Sequence, residues 1–497
     1  MHRTRNLLIG LVALVAIVAS ASIASAEEAP AKNVVLMISD GIGFNGWEAA
    51  KYDQGSLPYD NDNFTFYGMT TYMNNVYDNA AQKMLNSDSD VLGEGVKGID
   101  AATQNWTAVP QGYDANAMWT DFEYHRNNES YNGFTDSAAA ATAMYTGTKT
   151  YNSAVSIDVN GAPLKTIAEY AAEMGKATAA VSSVQFSHAT PAAVDAHTFY
   201  RYNKTAIAGQ QIASDLDVIM GGDAYVDTEG EYPGAVAGFK ADAIANGYTV
   251  IDQNDMSDWD TLADSSVTPP SKVLGTFDGS TLGGRAKPTL ELMTQGALNV
   301  LDENENGFFM MVEGGAVDWA NHDNALSSML HEQRDFDNSV QAVIDWVEQN
   351  SNWDETLLIV TSDHETGCIW GPGSGIVDVN GTPADPSDDQ HVFNNVLPDQ
   401  DGDGLPEAIY LSGGHTNALV PMWARGPGAE MFDELVDGAD ATAAGFWTQF
   451  GGAAGWNGEY IDNTDIFTVM HGASVPEPTT MILLGLGAVA AIRRRRS

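Results

Sequence analysis

Short apolar runs recur along the chain, and each is closed by polar residues. Asn33–Ser39 (NVVLMIS) runs into Asp40-Gly41. Ala177–Ser183 (ATAAVSS) follows a stretch of helical pattern, Leu164–Met174. Val218–Met220 ends in Gly-Gly, Phe308–Val312 (FFMMV) in Glu313, and Leu357–Thr361 (LLIVT) runs on to Asp363-His364. Runs that are apolar on both faces suit strands covered on both sides, as in a parallel sheet with crossover helices. The expectation is an α/β fold of three layers, α/β/α, with a mainly parallel central sheet. The polar residues fall just after the strands, where open α/β sheets bind ligands.

Two stretches break this rhythm. Residues 75–133 are rich in Asn, Asp, Gly and aromatics without a clear period, and residues 369–410 are rich in Asp, Pro and Gly. Both read as long surface insertions around one core rather than as separate domains. No internal repeat is visible.

The two ends read as processing signals. Arg3 and Arg5, an apolar run from Leu7 to Ile23, and Ala24-Ser25-Ala26 make a signal peptide cut after Ala26. At the other end, Thr479–Ile492 is apolar but short of the roughly 20 residues of a spanning helix, and four arginines follow as a cytoplasmic stop. The Val-Pro-Glu-Pro start, apolar run and basic end of residues 475–497 resemble the PEP-CTERM sorting tag of Gram-negative bacteria. That resemblance implies a tag held transiently in the membrane, then export, retention and cleavage by a dedicated protease. The working domain is then residues 27–474, in the periplasm, at the cell surface or outside the cell.

Charge narrows the function. The chain of 497 residues carries 22 basic and 67 acidic side chains, a net −45. Setting aside two arginines at the front, and four arginines and one glutamate at the back, leaves 16 basic against 66 acidic residues, or −50. Such a surface repels nucleic acid and anionic membranes. An anionic substrate would need local positive charge, which bound metals can supply. The single cysteine, Cys368, rules out an intramolecular disulfide.

Residues of metal-ligand type recur in order. Asp40 closes the first run. Glu313, Asp318 and His322 lie in VEGGAVDWANH at spacings of five and four, and the last two share a face of a helical turn. Asp363-His364 are adjacent, and His415 lies in SGGHTN. Carboxylates with imidazoles suit zinc, and all-oxygen sets suit magnesium. Asp136-Ser137 opens an alanine run. By itself this pair is either an ordinary helix cap or a nucleophile at a helix N-terminus, where the dipole favours an oxyanion.

Taken together, these motifs resemble the alkaline phosphatases of the metal-dependent, serine-nucleophile family, over roughly Asn33 to Ala473. The motifs are Asp40-Gly41-Ile42-Gly43, Asp136-Ser137-Ala138, SSVQFSHATPAA, Arg201, the Glu313/Asp318/His322 set, Asp363-His364, His415-Thr416 and the closing TDIFTVM. The resemblance implies phosphate monoester hydrolysis through a phosphoserine on Ser137. It implies a first zinc on Asp318, His322 and His415, and a second on Asp40, Asp363 and His364. Asp40 would bridge to a third site, usually magnesium, with Thr190 and Glu313. His188 stands beside that site where some members carry Asp. Arg201 would grip the phosphate and Asp136 orient Arg201. Family members are commonly homodimers. Trp319 follows Asp318 where charged or imidazole groups also occur, which implies a looser hold on product. Cys368 stands where glycine is expected and reads as buried.

Three rivals are weighed. A sulfatase needs a Cys/Ser-x-Pro-x-Arg setting, which is absent around Ser137. A phosphodiesterase more often uses Thr and lacks the third metal site. A non-catalytic, cation-binding surface protein fits the acidic charge and the tag, but not a ligand set with both Ser137 and Arg201. Asp399-Gln400-Asp401-Gly402-Asp403-Gly404 resembles half of a calcium loop, so calcium is a candidate at Asp399, Asp401 and Asp403. Tyr410 holds the twelfth position of that loop, and Glu407 could complete it. Asp302–Gly307 has similar spacing but reads as a helix-to-strand turn.

Overall fold

The computed structural model describes residues 30–74, 112–120, 122–125, 134–222, 238–252, 256–277, 288–378 and 389–474. Residues 1–29, where a signal peptide was expected, the sorting tag and most of the 75–133 stretch lie outside these. Among the described residues no helix is long and apolar enough to cross a membrane.

The five apolar runs form strands, as expected, and strands that no such run had marked, in residues 65–70, 249–252 and 273–277, stand among them. These are β1 (Asn33–Ser39), β2 (Thr65–Thr70), β3 (Ala177–Gln185), β4 (Val218–Gly222), β5 (Thr249–Asp252), β6 (Val273–Phe277), β7 (Phe308–Gly314) and β8 (Thr356–Thr361). Short strands β9 (Ile369–Trp370), β10 (Gly375–Asp378), β11 (Asp389–Val392) and β12 (Ile409–Tyr410) follow. Then come β13 (Val420–Arg425), β14 (Gly438–Ala439) and β15 (Glu459–Asp462). Eleven of them make one sheet in the order β14-β15-β2-β13-β8-β1-β7-β3-β4-β6-β5. From β8 through β5 neighbours are parallel, whereas β13 runs antiparallel to both β2 and β8. Every residue of β1, β3, β7 and β8 is buried, which is why these runs are apolar without alternation.

Successive side chains feed opposite faces. Val35 and Met37 of β1, with Phe308, Met310 and Val312 of β7, face one core. There they meet Phe44 and Trp47 of the helix Phe44–Gln54, Met293 of Leu290–Asp302, and Phe336 and Val340 of Leu326–Asn350. Leu36, Ile38, Phe309 and Met311 face the other core. That core is closed by Ala138, Ala141 and Met144 of the helix Ser137–Thr146, and by Ile466, Val469 and Met470 of Thr464–Ser474. The result is the three-layer α/β/α arrangement. All ten residues of Ser137–Thr146 are buried, and its small alanines allow that close fit. The Leu164–Met174 pattern becomes a shorter helix, Ile167–Glu173, started by a capping box between Thr166 and Glu169.

Parallel strands in register bring their C-terminal ends to one edge. Ile38 of β1 pairs with both Glu313 of β7 and Thr361 of β8. Asp40 is thereby brought beside Glu313 and Asp363, each more than 270 residues away in sequence. The 75–133 stretch is not wholly peripheral. Its helices Ala115–Thr120 and Phe122–His125 bury Met118, Tyr124 and His125 against the body.

Candidate active site

Ser137 is the first residue of its helix, and Asp136 is the cap. Asp136 has extended backbone (φ −97°, ψ 167°), and its Oδ1 accepts the N–H of Ala139 at 2.9 Å. Its Oδ2 accepts the N–H of Ser153 at 2.9 Å and Nη1 of Arg201, also at 2.9 Å. The two readings of Asp136-Ser137 are therefore compatible, because one carboxylate caps the helix and holds the arginine. Burial works against the Arg201 charge, but Asp136 keeps the guanidinium firmly protonated. Arg201 Nε is buried without a partner, and Nη2 faces His188 Nε2 at 3.3 Å.

Ser137 Oγ lies 3.3 Å from His364 Nε2. That nitrogen is 3.2 Å from Asp363 Oδ2 and 3.6 Å from Asp40 Oδ1. Oxygen and nitrogen atoms of Asp40, Asp363 and His364 lie within 4.8 Å of one another, as do those of Asp40, His188 and Glu313. Thr190 is buried and lies against Glu313, whose other oxygen accepts Ser182 Oγ.

Asp318, His322 and His415 also meet. His322 Nε2 is 3.3 Å from Asp318 Oδ2 and 3.1 Å from His415 Nε2, and His415 Nε2 is 3.7 Å from Asp318 Oδ1. His364 stacks on His415 with ring centroids 3.6 Å apart, which places it beside this set as well. His322, His415 and His364 are each oriented by the outer nitrogen. Nδ1 of His322 donates to Gly413 O at 2.7 Å and Nδ1 of His415 to Thr135 O at 2.8 Å. Thr366 Oγ1 donates to Asp318 Oδ1 at 2.7 Å, so it accepts from His364 Nδ1 at 3.2 Å. All three rings thus turn Nε2 inward, the orientation that metal-binding histidines use; burial opposes charge on His322, but its bond to Asp318 raises it to about 9, so it would shed a proton to bind a cation.

The donor set fits divalent cations. Both oxygens of Asp40, Oδ2 of Asp363 and Oε1 of Glu313 are buried and accept no hydrogen bond. Burial and the neighbouring carboxylates push Asp40 well above the usual carboxylate range, and burial raises Asp363 to about 7. Carboxylates this crowded either keep a proton or need a cation beside them to ionise together. Burial opposes ionisation of Asp318 too, but His322 and His415 hold it below the normal range. Burial, with Lys204 and Arg201 nearby, keeps His188 neutral; its ring meets Trp319 edge-on at 5.7 Å.

Sequence reasoning missed several of these parts. Thr366 bridges Asp318 and His364, and the carbonyls of Thr135 and Gly413 set two histidines. Lys204 is buried three residues after Arg201, with Nζ donating to Ser187 O at 3.2 Å. Only Thr366 had a signal, since it lies two residues after His364. In the acidic loop, oxygens of Asp399, Asp401 and Glu407 come within 4.8 Å, and Asp403 instead accepts the N–H of Leu405 at 2.8 Å. Cys368 is buried with φ 49°, the left-handed conformation in which glycine was expected.

Comparison with known proteins agrees with this geometry. The sequence model of the alkaline phosphatase family matches residues 100–402, and that of the PEP-CTERM protein-sorting motif matches 474–496. Alkaline phosphatase 3 of Bacillus subtilis (strain 168) is 30% identical over 362 residues, 62% of this chain and 75% of that protein. Alkaline phosphatase of Escherichia coli (strain K12) is 26% identical over 483 residues, 84% of this chain and 85% of that protein. Among solved structures, alkaline phosphatase from the Antarctic bacterium TAB5 aligns with TM-score 0.58 at 23% identity, covering 90% of this chain and 99% of that one. A variant of the TAB5 enzyme described with magnesium bound aligns with TM-score 0.56 at 22% identity, covering 90% and 98%.

Proposed function

The chain belongs to the alkaline phosphatase family and is a phosphatase, and from that premise we propose that it is an exported phosphomonoesterase working through a phosphoserine on Ser137. The observation that carries this reading is Ser137 Oγ, 3.3 Å from His364 Nε2, at a helix N-terminus with the Arg201–Asp136 pair beside it.

Asp318, His322 and His415 would hold one zinc ion, and Asp40, Asp363 and His364 a second. Asp40, Glu313 and Thr190, with His188 adjacent, would hold a third ion, magnesium. When bound, these ions supply Lewis acidity that makes the serine alkoxide accessible and offsets charge on the attacking and leaving oxygens. The protein does the rest. Arg201 grips two phosphate oxygens through its planar fork. Asp136 keeps that fork aimed, and the helix N-terminus favours charge on Ser137 Oγ. Ser137 Oγ bonds to phosphorus as the alcohol oxygen leaves, and water then cleaves the phosphoserine to release phosphate.

The PEP-CTERM motif marks the chain for export sorting. In this reading residues 1–26 are removed on export, and residues 475–497 are trimmed at the membrane.

The test uses the purified domain 27–474 and a chromogenic phosphate monoester from pH 6 to 11. Alkaline turnover is expected, lost to a chelator, restored by zinc with magnesium, and reduced on the order of 10³-fold or more in Ser137→Ala. Folded, metal-loaded protein that cleaves only a diester would replace this reading with that of a phosphodiesterase.

A further inference from the structure

His415 is carried on a loop, Ser412-Gly413-Gly414-His415-Thr416-Asn417, whose two glycines leave it conformationally free unless it is tied down. One tie is Asn417. Its side-chain Nδ2 donates to Tyr124 O at 3.0 Å, and its backbone N donates to His125 O at 3.4 Å. Both acceptors belong to the 75–133 stretch. Thr135, just beyond that stretch, takes the His415 Nδ1 proton. The loop is thus held by the Glu365–Gly367 segment on one side, and by residues 124, 125 and 135 on the other.

The described part of the 75–133 stretch, residues 112–120 and 122–125, is itself packed into the body. Trp370 Nε1 donates to His125 Nε2 at 3.2 Å, and the buried imidazole packs 5.3 Å from Phe393 and 6.0 Å from Trp119. Trp119 stacks on Phe446 with rings 19° apart. Trp119 Nε1 and Tyr113 Oη both donate to Asp440 Oδ2 at 2.7 Å. Asp440 in turn caps the helix Ala441–Phe446 through Thr442 and Ala443. An aromatic cluster with satisfied polar tips behaves as fixed core rather than as a surface loop.

We infer that Asn417 is a positioning residue for the metal centre. It fastens the His415 loop to residues 112–125 and so fixes where His415 Nε2 points. One task of the insertion is then to brace this ligand. The inference rests on the reading of His415 as a zinc ligand.

The experiment measures zinc affinity of the metal-stripped domain 27–474 by competition with a chromogenic chelator, with the melting temperature of the metal-free protein measured alongside. Asn417→Ala is expected to weaken zinc binding about tenfold, the range for outer partners of metal ligands. Asn417→Asp, which turns an acceptor toward the Tyr124 carbonyl, should weaken it further. The metal-free melting temperature of Asn417→Ala should stay near that of the wild type. Wild-type zinc affinity in Asn417→Ala overturns the inference. So does a metal-free melting temperature that falls in step with affinity, because the defect is then general unfolding. A wild-type domain that binds no zinc overturns the inference together with the site reading beneath it.

Discussion

Arg201 Nη1 lies 2.9 Å from Asp136 Oδ2, and the other oxygen of that carboxylate caps the helix that starts at Ser137. The candidate nucleophile and the candidate phosphate clamp therefore share one brace. Asp136→Ala removes the cap and leaves a buried guanidinium unpaired, which is expected to cost about 3 kcal/mol of stability in urea denaturation. The freed Arg201 should lower kcat/KM on the order of 10²-fold. Asp136→Asn keeps the Oδ1 acceptor, so its stability loss should be the smaller of the two. Wild-type kcat/KM in a folded Asp136→Ala protein would show that Arg201 needs no brace.

Thr366 joins two candidate ligands through one hydroxyl, donating to Asp318 Oδ1 and accepting from His364 Nδ1. Thr366→Val keeps the shape and removes both bonds. The variant should lose zinc to a chelator at 10-fold to 100-fold lower concentration, and excess zinc should return most of its activity. Unchanged zinc retention would mean that the carboxylate and imidazole hold their positions unaided.

Much of the fold and the site was legible because burial and chemistry left residue-level marks. β1 matches its apolar run from Asn33 to Ser39 because every position is buried. Asp40, Glu313 and Asp363 were legible because they interrupt or close apolar runs, and parallel register then brings them together. The supports were not. Backbone carbonyls such as those of Thr135 and Gly413 carry no residue identity, and Thr366 is marked only by standing two residues after His364. The packing of residues 112–125 was also hidden. Its decisive bonds run from Tyr113 and Trp119 to Asp440, more than 300 residues away, and no local period announces such contacts.

Gly41 has no side chain to offer, yet the site depends on it. Its φ is +73°, and a Cβ there would sit 2.6 Å from Asp318 Oδ1 and 2.8 Å from Asp318 Cα. Its N–H also holds Asp363 Oδ1 at 3.1 Å. Gly41→Ala must strain the backbone by roughly 1–2 kcal/mol and push the Asp318 helix away. A fall in kcat/KM on the order of 10²-fold is expected. Gly55 is the control, with φ +83° and nothing within 4 Å of a Cβ. Gly55→Ala should cost about 1 kcal/mol and leave kcat/KM unchanged. Equal activity losses in the two variants would assign the Gly41 effect to backbone strain alone.

Asp337 sets a pH dependence remote from the metal ligands. Its Oδ1 accepts Tyr59 Oη at 2.6 Å and Gln333 Nε2 at 3.0 Å, and its Oδ2 accepts Gln54 Nε2 at 2.7 Å. These bonds favour the anion, but burial outweighs them and raises the carboxyl to about 6. A folded-state pKa above the unfolded one means that the native state holds the proton more tightly. The stability this contributes is complete below about pH 4 and is lost as pH rises through 6. Asp337→Asn has no proton to lose, and Gln54 can turn its amide to accept from the new Nδ2. In the metal-stripped protein, the stability of Asp337→Asn relative to wild type should therefore climb between pH 4 and 7, by up to about 3 kcal/mol for a shift of this size. Thermal or urea unfolding of both proteins across that range measures the difference. A gap that stays constant with pH would show that Asp337 ionises in the native state as readily as in the unfolded chain.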